Sequence, residues 1–162
     1  MKSRYWARTP KFGILLPKSV EEALRFARES GTDRWQKAID KEMKMIDCAF
    51  HFPEDSKAPV GHQKIDCHMV FDVKMTLERK ARYVAGGHQT EPTKDITFAS
   101  GVSWDSIRIA FLVAALNDLE VLSADISGAY LKAKAAEKVY TLAGKEFGPE
   151  KEGRIVIITR AL

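Results

Sequence analysis

The 162 residues contain only two cysteines, Cys48 and Cys67, and no run of eighteen apolar residues. The opening segment MKSRYWARTPK also lacks the apolar stretch that a secretory signal peptide needs. We therefore predict neither a membrane span nor a signal peptide. These absences predict an intracellular protein whose two thiols stay reduced, and they argue against a fold held together by disulfides.

Several catalytic motifs are absent as well. None of the four histidines has a nucleophile elbow or a triad-like companion, so serine or cysteine nucleophile catalysis is not predicted. Gly86 and Gly87 are not followed by Lys-Ser or Lys-Thr, which argues against a glycine-rich phosphate loop. No Asp-Asp pair occurs anywhere in the chain.

The composition is that of one globular domain. Hydrophobic residues make up 45% of the chain and charged residues 30%, so a buried core is expected. The formal net charge of +4 permits a polyanionic partner without requiring one.

Three segments have the residue spacing of helices. Ser19 and Glu22 form a capping box for a short helix that Gly31 ends. In residues 35–46 the apolar side chains recur every three or four positions, which predicts a second helix with one buried face. Residues 106–117 are apolar almost all round, which predicts a helix buried on several sides.

Residues 67–75 alternate between apolar and polar side chains, and a turn leads from them to a second strand over residues 79–85. This pattern predicts a β-hairpin. Lys80 and Arg82 are two positions apart on the second strand and should project to the same side. Two adjacent cations suit a triphosphate or a nucleic-acid backbone, although a solvated strand face has the same pattern.

The segment LEVLSADISGAYL, residues 119–131, joins an apolar-rich run to a carboxylate. The run predicts a buried strand that ends at Asp125, whose carboxylate faces open space. A lone carboxylate at a strand end is commonly a turn or capping residue. However, an Asp oxygen and the next backbone carbonyl, that of Ile126, can share one Mg²⁺ ion. The ring of Tyr130, five residues on, could then lie under an incoming sugar, as in a metal-dependent nucleotidyl transferase.

The motif DISGAYL resembles the first catalytic motif of the reverse transcriptases of copia-type retrotransposons. Further segments are similar to copia-type segments and follow the order that the family has: KARYVAGG, DSIRIAFLVAALND, EKVYT and the final RAL. The resemblance covers roughly residues 35–162. Tyr83 departs from the family, which usually has leucine at that position, and the change is expected to be neutral for packing.

The resemblance implies roles for five residues. Asp125 would be catalytic and would bind Mg²⁺ together with the carbonyl of Ile126. Lys80 and Arg82 would hold the triphosphate, and Tyr130 would exclude a ribose 2′-hydroxyl. The partners implied for the full-length enzyme are an RNA or DNA template-primer and a deoxynucleoside triphosphate, in the cytoplasm, a virus-like particle or the nucleus.

Nucleotidyl transfer of this kind needs a second carboxylate site, because two cations stabilise the in-line displacement. The family supplies that site from a Tyr-x-Asp-Asp-type hairpin beyond the RAL segment, and these 162 residues have no Asp-Asp pair. The expectation is therefore a fragment of an RNA-directed DNA polymerase, comprising the fingers and the first part of the palm, with negligible polymerase activity alone.

The expected fold is α+β: a fingers-like β-hairpin with helices, leading into a partial palm-like antiparallel sheet packed on the helix over residues 106–117. Residues 137–142 and 154–160 are predicted strands, and the apolar run in the second of them predicts cover on both faces. We predict an irregular N-terminal arm and a short helix over residues 1–31, and a partial reverse transcriptase domain over residues 32–162.

Two other interpretations remain open. Cys48, His51, His62 and Cys67 could be the four zinc ligands of a small nucleic-acid-binding module, although Cys67 lies in the alternating strand pattern. Alternatively, the chain is a non-catalytic binding module whose last apolar strand lacks a partner. Such a module would expose apolar surface and self-associate.

Overall fold

The structure, a computed structural model, describes residues 10–55, 57–87 and 101–162. They fall into two compact units, the first within residues 1–90 and 128–162 and the second within residues 91–127. The helices and strands in the described ranges are β1 (Pro10–Lys11), β2 (Ile14–Leu15), α1 (Val20–Ser30), α2 (Arg34–Ile46), β3 (Phe50–His51), β4 (Gln63–Lys64), β5 (Cys67–Val73), β6 (Arg79–Ala85), α3 (Trp104–Leu116), β7 (Lys134–Leu142) and β8 (Ile155–Arg160).

This mixture of helices and small sheets confirms the α+β class. Two finer parts of the prediction stay predictions. They are the domain boundary after residue 31 and the packing of a sheet on the helix predicted over residues 106–117. No helix in the described ranges combines the length and the apolar character needed to cross a bilayer.

The caps of α1 are those that the sequence predicts. The Ser19 hydroxyl accepts the N–H of Glu22 at 3.2 Å, and the Glu22 carboxylate accepts the N–H of Lys18 at 2.9 Å. Gly31 follows the last turn with φ of 62°, a conformation that side chains with a Cβ rarely adopt. The N–H of Thr32 then reaches the carbonyl of Ala27 at 3.1 Å, which closes the helix in a Schellman arrangement.

The predicted hairpin is confirmed as the antiparallel pair β5–β6, in register from Cys67 opposite Ala85 to Val73 opposite Arg79. One face of it is buried together with one face of α2, which confirms the buried face predicted for that helix. Trp35 of α2 meets Phe71 edge to face, with 5.6 Å between ring centroids. The main buried cluster comprises Val20, Ala23, Trp35, Ala38, Ile39, Ile46, Met69, Phe71, Val73, Ala81 and Tyr83.

A second sheet has the strand order β3, β8, β7, β4. The pairs β3–β8 and β7–β8 are antiparallel, whereas β4 and β7 run parallel. In β8, Val156 and Ile158 are buried, whereas Ile155 and Ile157 are only partly so. The apolar run is therefore completely covered on one face only. Strand β8 is paired on both sides, at two residues with β3 and at five with β7. The further partner that the non-catalytic interpretation assumes for this strand stays a prediction.

The N-terminal arm is less irregular than expected over its described part. Strands β1 and β2 pair with Pro10 opposite Leu15 and Lys11 opposite Ile14. The two residues between them, Phe12 and Gly13, have φ of 52° and 74°. Positive φ at both positions is the geometry of the tightest hairpin turns, and it turns the chain back at once.

Helix α3 is confirmed, but within the described part of its own unit it is not buried on several sides as predicted. The Ser103 hydroxyl accepts the N–H of Ser106 at 3.1 Å, and the N–H of Leu119 closes the other end on the carbonyl of Ala114 at 2.9 Å. Within the described part of its unit, α3 is the one helix or strand, so no partner element there covers it. Ala114 is its one buried residue, and its large exposed apolar residues are Trp104, Ile109, Phe111, Leu112, Val113 and Leu116.

Replacing Ile39 tests the core between α2 and the hairpin. The Ile39 side chain is 1% exposed, so Ile39→Ala should leave a cavity and lower the free energy of unfolding by about 2–5 kcal/mol. Met45, on the same helix, is 51% exposed, and Met45→Ala should change it by no more than about 0.5 kcal/mol. Urea unfolding monitored by circular dichroism measures both. Equal losses would show that α2 does not pack as described.

Candidate functional site

The outer face of the β5–β6 hairpin carries the two cations that the sequence singles out. Lys80 lies opposite Asp72, and Arg82 lies opposite Val70. These four residues, together with Phe71, line a depression of about 200 Å³. Lys80 and Arg82 therefore share one face, as predicted, and that face forms a small concave surface.

The buried face of the hairpin determines which side chains point outward. Ala81 and Tyr83 alternate with the two cations along β6 and are buried in the core. The N–H of Tyr83 donates to the Glu42 carboxylate of α2 at 3.1 Å, which satisfies a donor at the edge of the two-stranded sheet. Helix α2 thus holds β6 by its edge and by its inner side chains.

Tyr83 anchors the hairpin in an aromatic cluster. Its ring centroid lies 5.6 Å from those of Phe50 and Phe147, and both contacts are edge to face. Burial raises the pKa of the Tyr83 hydroxyl, and the nearby Cys67 and Glu146 act in the same direction. Aromatic packing thus accommodates the Tyr83 ring in the core. Its hydroxyl is buried without a hydrogen bond of standard geometry to any described residue.

A third cation reaches this face from the N-terminal hairpin. Lys11 Nζ lies 2.6 Å from Asp72 Oδ1, and the N–H of Val73 donates to the same oxygen at 2.8 Å. Lys11 holds the pKa of the Asp72 carboxyl below its ordinary value, and Val73 and the charge of Lys80 act in the same direction. Lys11, Lys80 and Arg82 supply three positive charges against the one negative charge of Asp72, so these four side chains carry a net charge of +2.

Lys80 and Arg82 are available to an anionic ligand. None of the ion pairs within the described ranges involves either side chain. Val70, 44% exposed, adds an apolar contact beside Arg82. A paired carboxylate, two cations without ion pairs and one apolar side chain can accept a phosphate chain, with room for contact to a sugar or base.

Asp125 does not end a buried strand, so that prediction is wrong. Residues 119–126 form neither helix nor strand, and Leu119, Val121 and Leu122 are exposed, Leu122 by 91%. A strand needs a neighbouring strand for its backbone groups, and no described strand pairs with this segment. The part of the prediction that holds is the exposure of Asp125.

The predicted metal and sugar residues lie in different units. Asp125 and Ile126 belong to the unit within residues 91–127, whereas Tyr130, Lys80 and Arg82 belong to the other. Tyr130 begins a 3-10 turn, Tyr130–Lys132, and its side chain is 78% exposed. Gly128 opens this turn with φ of 60°, and a Cβ there would lie 3.2 Å from the Leu131 side chain. A glycine at this place in the DISGAYL motif thus has a local structural reason.

The four possible zinc ligands do not form a cluster. Across the described residues, no group of three or more His, Cys, Asp and Glu side chains is placed to hold a metal ion. Cys48 is exposed, whereas Cys67 is partly buried and burial raises the pKa of its thiol. The same finding gives Asp125 no second described carboxylate with which to bind a cation.

Sequence reasoning missed Lys11 and Glu42. The pattern of β5 places Asp72 on the polar side of the hairpin, but nothing in the pattern indicates a partner 61 positions earlier. The one available signal is the Phe-Gly pair directly before the apolar run of residues 14–16, which is consistent with a tight turn. Comparisons with protein-family models, with curated proteins and with solved structures found no match to this chain.

The two cysteines should react at different rates. Because burial raises the pKa of the Cys67 thiol, less reactive thiolate is present at mildly alkaline pH, and access is reduced as well. With Cys48→Ser and Cys67→Ser variants, iodoacetamide should modify Cys48 at least about tenfold faster than Cys67 in the folded protein. In urea the two rates should converge. Equal rates in the folded protein would contradict the placement of Cys67.

Proposed function

We propose that this chain is part of an RNA-directed DNA polymerase of the copia type, in which the β5–β6 hairpin binds the phosphates of a nucleotide or of a nucleic-acid strand. The observation that carries the proposal is the pair Lys80 and Arg82, side by side on the outer face of a hairpin whose inner face is fixed in the core. The copia-type resemblance of KARYVAGG and DISGAYL supports the identity of the enzyme.

The chemistry of the two cations fits a phosphate ligand. A guanidinium group offers two parallel N–H donors to phosphate oxygens, and an ammonium group adds a compact charge. Because side chains alternate along a strand, both cations are held on one face, so less conformational entropy is lost on binding than for cations on a loop. Because the site is exposed, its affinity should fall steeply as salt increases.

Asp125 supplies the proposed metal ligand. Its carboxylate and the carbonyl of Ile126 would hold Mg²⁺, which neutralises charge on the transferred phosphate when it is bound. Both residues are exposed, so their oxygens can reach a hydrated cation. Tyr130, with its exposed ring, would contact the sugar of the incoming nucleotide. One carboxylate cannot hold two cations, so the proposed activity of these 162 residues is binding and not polymerisation.

Binding of labelled single-stranded DNA tests the hairpin. The variant Lys80→Met/Arg82→Met should bind a fluorescein-labelled oligo(dT) more weakly. The slope of log affinity against log salt concentration should become less steep by about 1.4, roughly 0.7 for each lost cation. Fluorescence anisotropy across a salt series measures both quantities.

The matched control is Lys37→Met/Lys44→Met. These lysines are exposed on α2, the helix packed against the opposite face of the hairpin, and their loss changes the net charge by the same amount. If both double variants weaken binding equally, the attraction comes from overall charge and the hairpin is not a site.

The absence of polymerase activity is a separate prediction. The 162-residue chain should incorporate no labelled dTTP on poly(rA)/oligo(dT) with Mg²⁺, because no Asp-Asp pair is present to complete a two-metal site. Incorporation that Asp125→Asn abolishes would refute this, and incorporation that persists in Asp125→Asn would indicate a contaminating polymerase.

A non-catalytic nucleic-acid-binding module is the second candidate function. The same cation pair favours it, since phosphate binding by the hairpin needs neither Asp125 nor Mg²⁺. The two candidates differ in one measurable respect: Mg²⁺ should strengthen binding of dTTP through Asp125 only if the polymerase ancestry is correct. Self-association through exposed apolar surface stays a prediction.

A further inference from the structure

We propose that Lys11 is a positioning residue of the phosphate-binding face: it occupies the Asp72 carboxylate and so keeps Lys80 free for the ligand. This inference rests on the proposed function of the hairpin and adds a residue that the copia-type resemblance does not include, since that resemblance begins near residue 35.

Two lysines compete for the Asp72 carboxylate. Asp72 on β5 and Lys80 on β6 are direct cross-strand partners, and side chains at such positions are close enough to form an ion pair. However, the ion pair in the structure joins Asp72 to Lys11, at 2.6 Å, and not to Lys80. Lys11 thus forms the ion pair with Asp72 that Lys80, its cross-strand partner, would otherwise be placed to form.

The N-terminal hairpin places Lys11 beside Asp72. The turn at Phe12 and Gly13, with positive φ at both residues, returns the chain so that Lys11 pairs with Ile14. Ile14 and Leu16 pack against the main core cluster, which holds the segment against the domain. Phe12 adopts a backbone conformation that is unfavourable for a residue with a side chain, and packing of the neighbouring residues offsets this cost.

Two consequences follow for a polyanion. With Lys11 present, the charge of Asp72 is offset and repels phosphate less, and the Lys80 ammonium group is left to contact the ligand. Without Lys11, Asp72 repels phosphate and competes with it for Lys80. The loss of Lys11 should therefore weaken binding through Asp72, and an uncharged residue at position 72 should abolish the effect.

A double-mutant cycle separates this mechanism from a simple loss of charge. The four proteins are wild type, Lys11→Met, Asp72→Asn and Lys11→Met/Asp72→Asn, each titrated with fluorescein-labelled oligo(dT) at low salt. Lys11→Met should weaken binding about two- to fivefold, the range of an exposed ion pair, and Asp72→Asn should strengthen it to a similar degree. In the Asp72→Asn background, Lys11→Met should have little further effect.

Two further proteins complete the test. Lys11→Arg, which retains the charge, should bind like wild type, and Lys44→Met should weaken binding less than Lys11→Met does. Equal urea midpoints would show that each variant is folded, so that affinity reports on the site. If Lys11→Met weakens binding by the same factor with and without Asp72, then Lys11 contacts the ligand directly or acts through overall charge, and the positioning role is refuted.

The outcome for Lys80→Met/Arg82→Met keeps this inference distinct from the proposed function. If that variant binds oligo(dT) as well as wild type does, the hairpin is not a phosphate site and both proposals fail. If it binds weakly while the cycle shows no coupling between Lys11 and Asp72, the hairpin function stands and only the role of Lys11 fails.

Discussion

The packing of α2 against β6 determines the rest of the first unit. Ala81 and Tyr83 are buried in a core cluster with Trp35, and Glu42 holds the N–H of Tyr83. Because side chains alternate along a strand, Lys80 and Arg82 must then face outward. A slip of one residue in the register would bury both cations without partners. The free energy lost would be comparable to or larger than the stability of a domain of this size.

Local signals in the sequence account for the parts of this unit that were predicted. The capping residues of α1, the helical spacing in α2 and the alternation in β5 and β6 each depend on residues a few positions apart. The pairing of Lys11 with Asp72 and the parallel contact of β4 with β7 join segments far apart in the chain. Local periodicity carries no information on such contacts, so the candidate site was predicted in its strand residues but not in its third cation.

The errors in the second unit have one physical origin. Apolar content predicts that a segment is stabilised by burial, but it does not provide the element that buries it. In α3, helix formation needs only its own backbone, so the helix is present although most of its surface is exposed. In residues 119–126 a strand would need a partner, and the segment is irregular. In this unit the helix, which completes its own hydrogen bonds, was therefore predictable, whereas the expected strand, which would need a neighbour, did not form.

The proposed phosphate face and the proposed metal ligand are physically separable. The face depends on a hairpin register that α2 enforces, and it can bind an anion by charge and hydrogen bonding alone. In the proposed function, Asp125 would act on a nucleotide only through a cation, because a carboxylate and a phosphate repel each other. Binding without metal would therefore come from the hairpin, whereas any increase caused by Mg²⁺ would come from Asp125. Because the Asp72 carboxylate is paired with Lys11, Mg²⁺ should bind weakly at the hairpin. An effect of Mg²⁺ on binding would therefore report on Asp125 rather than on the phosphate face.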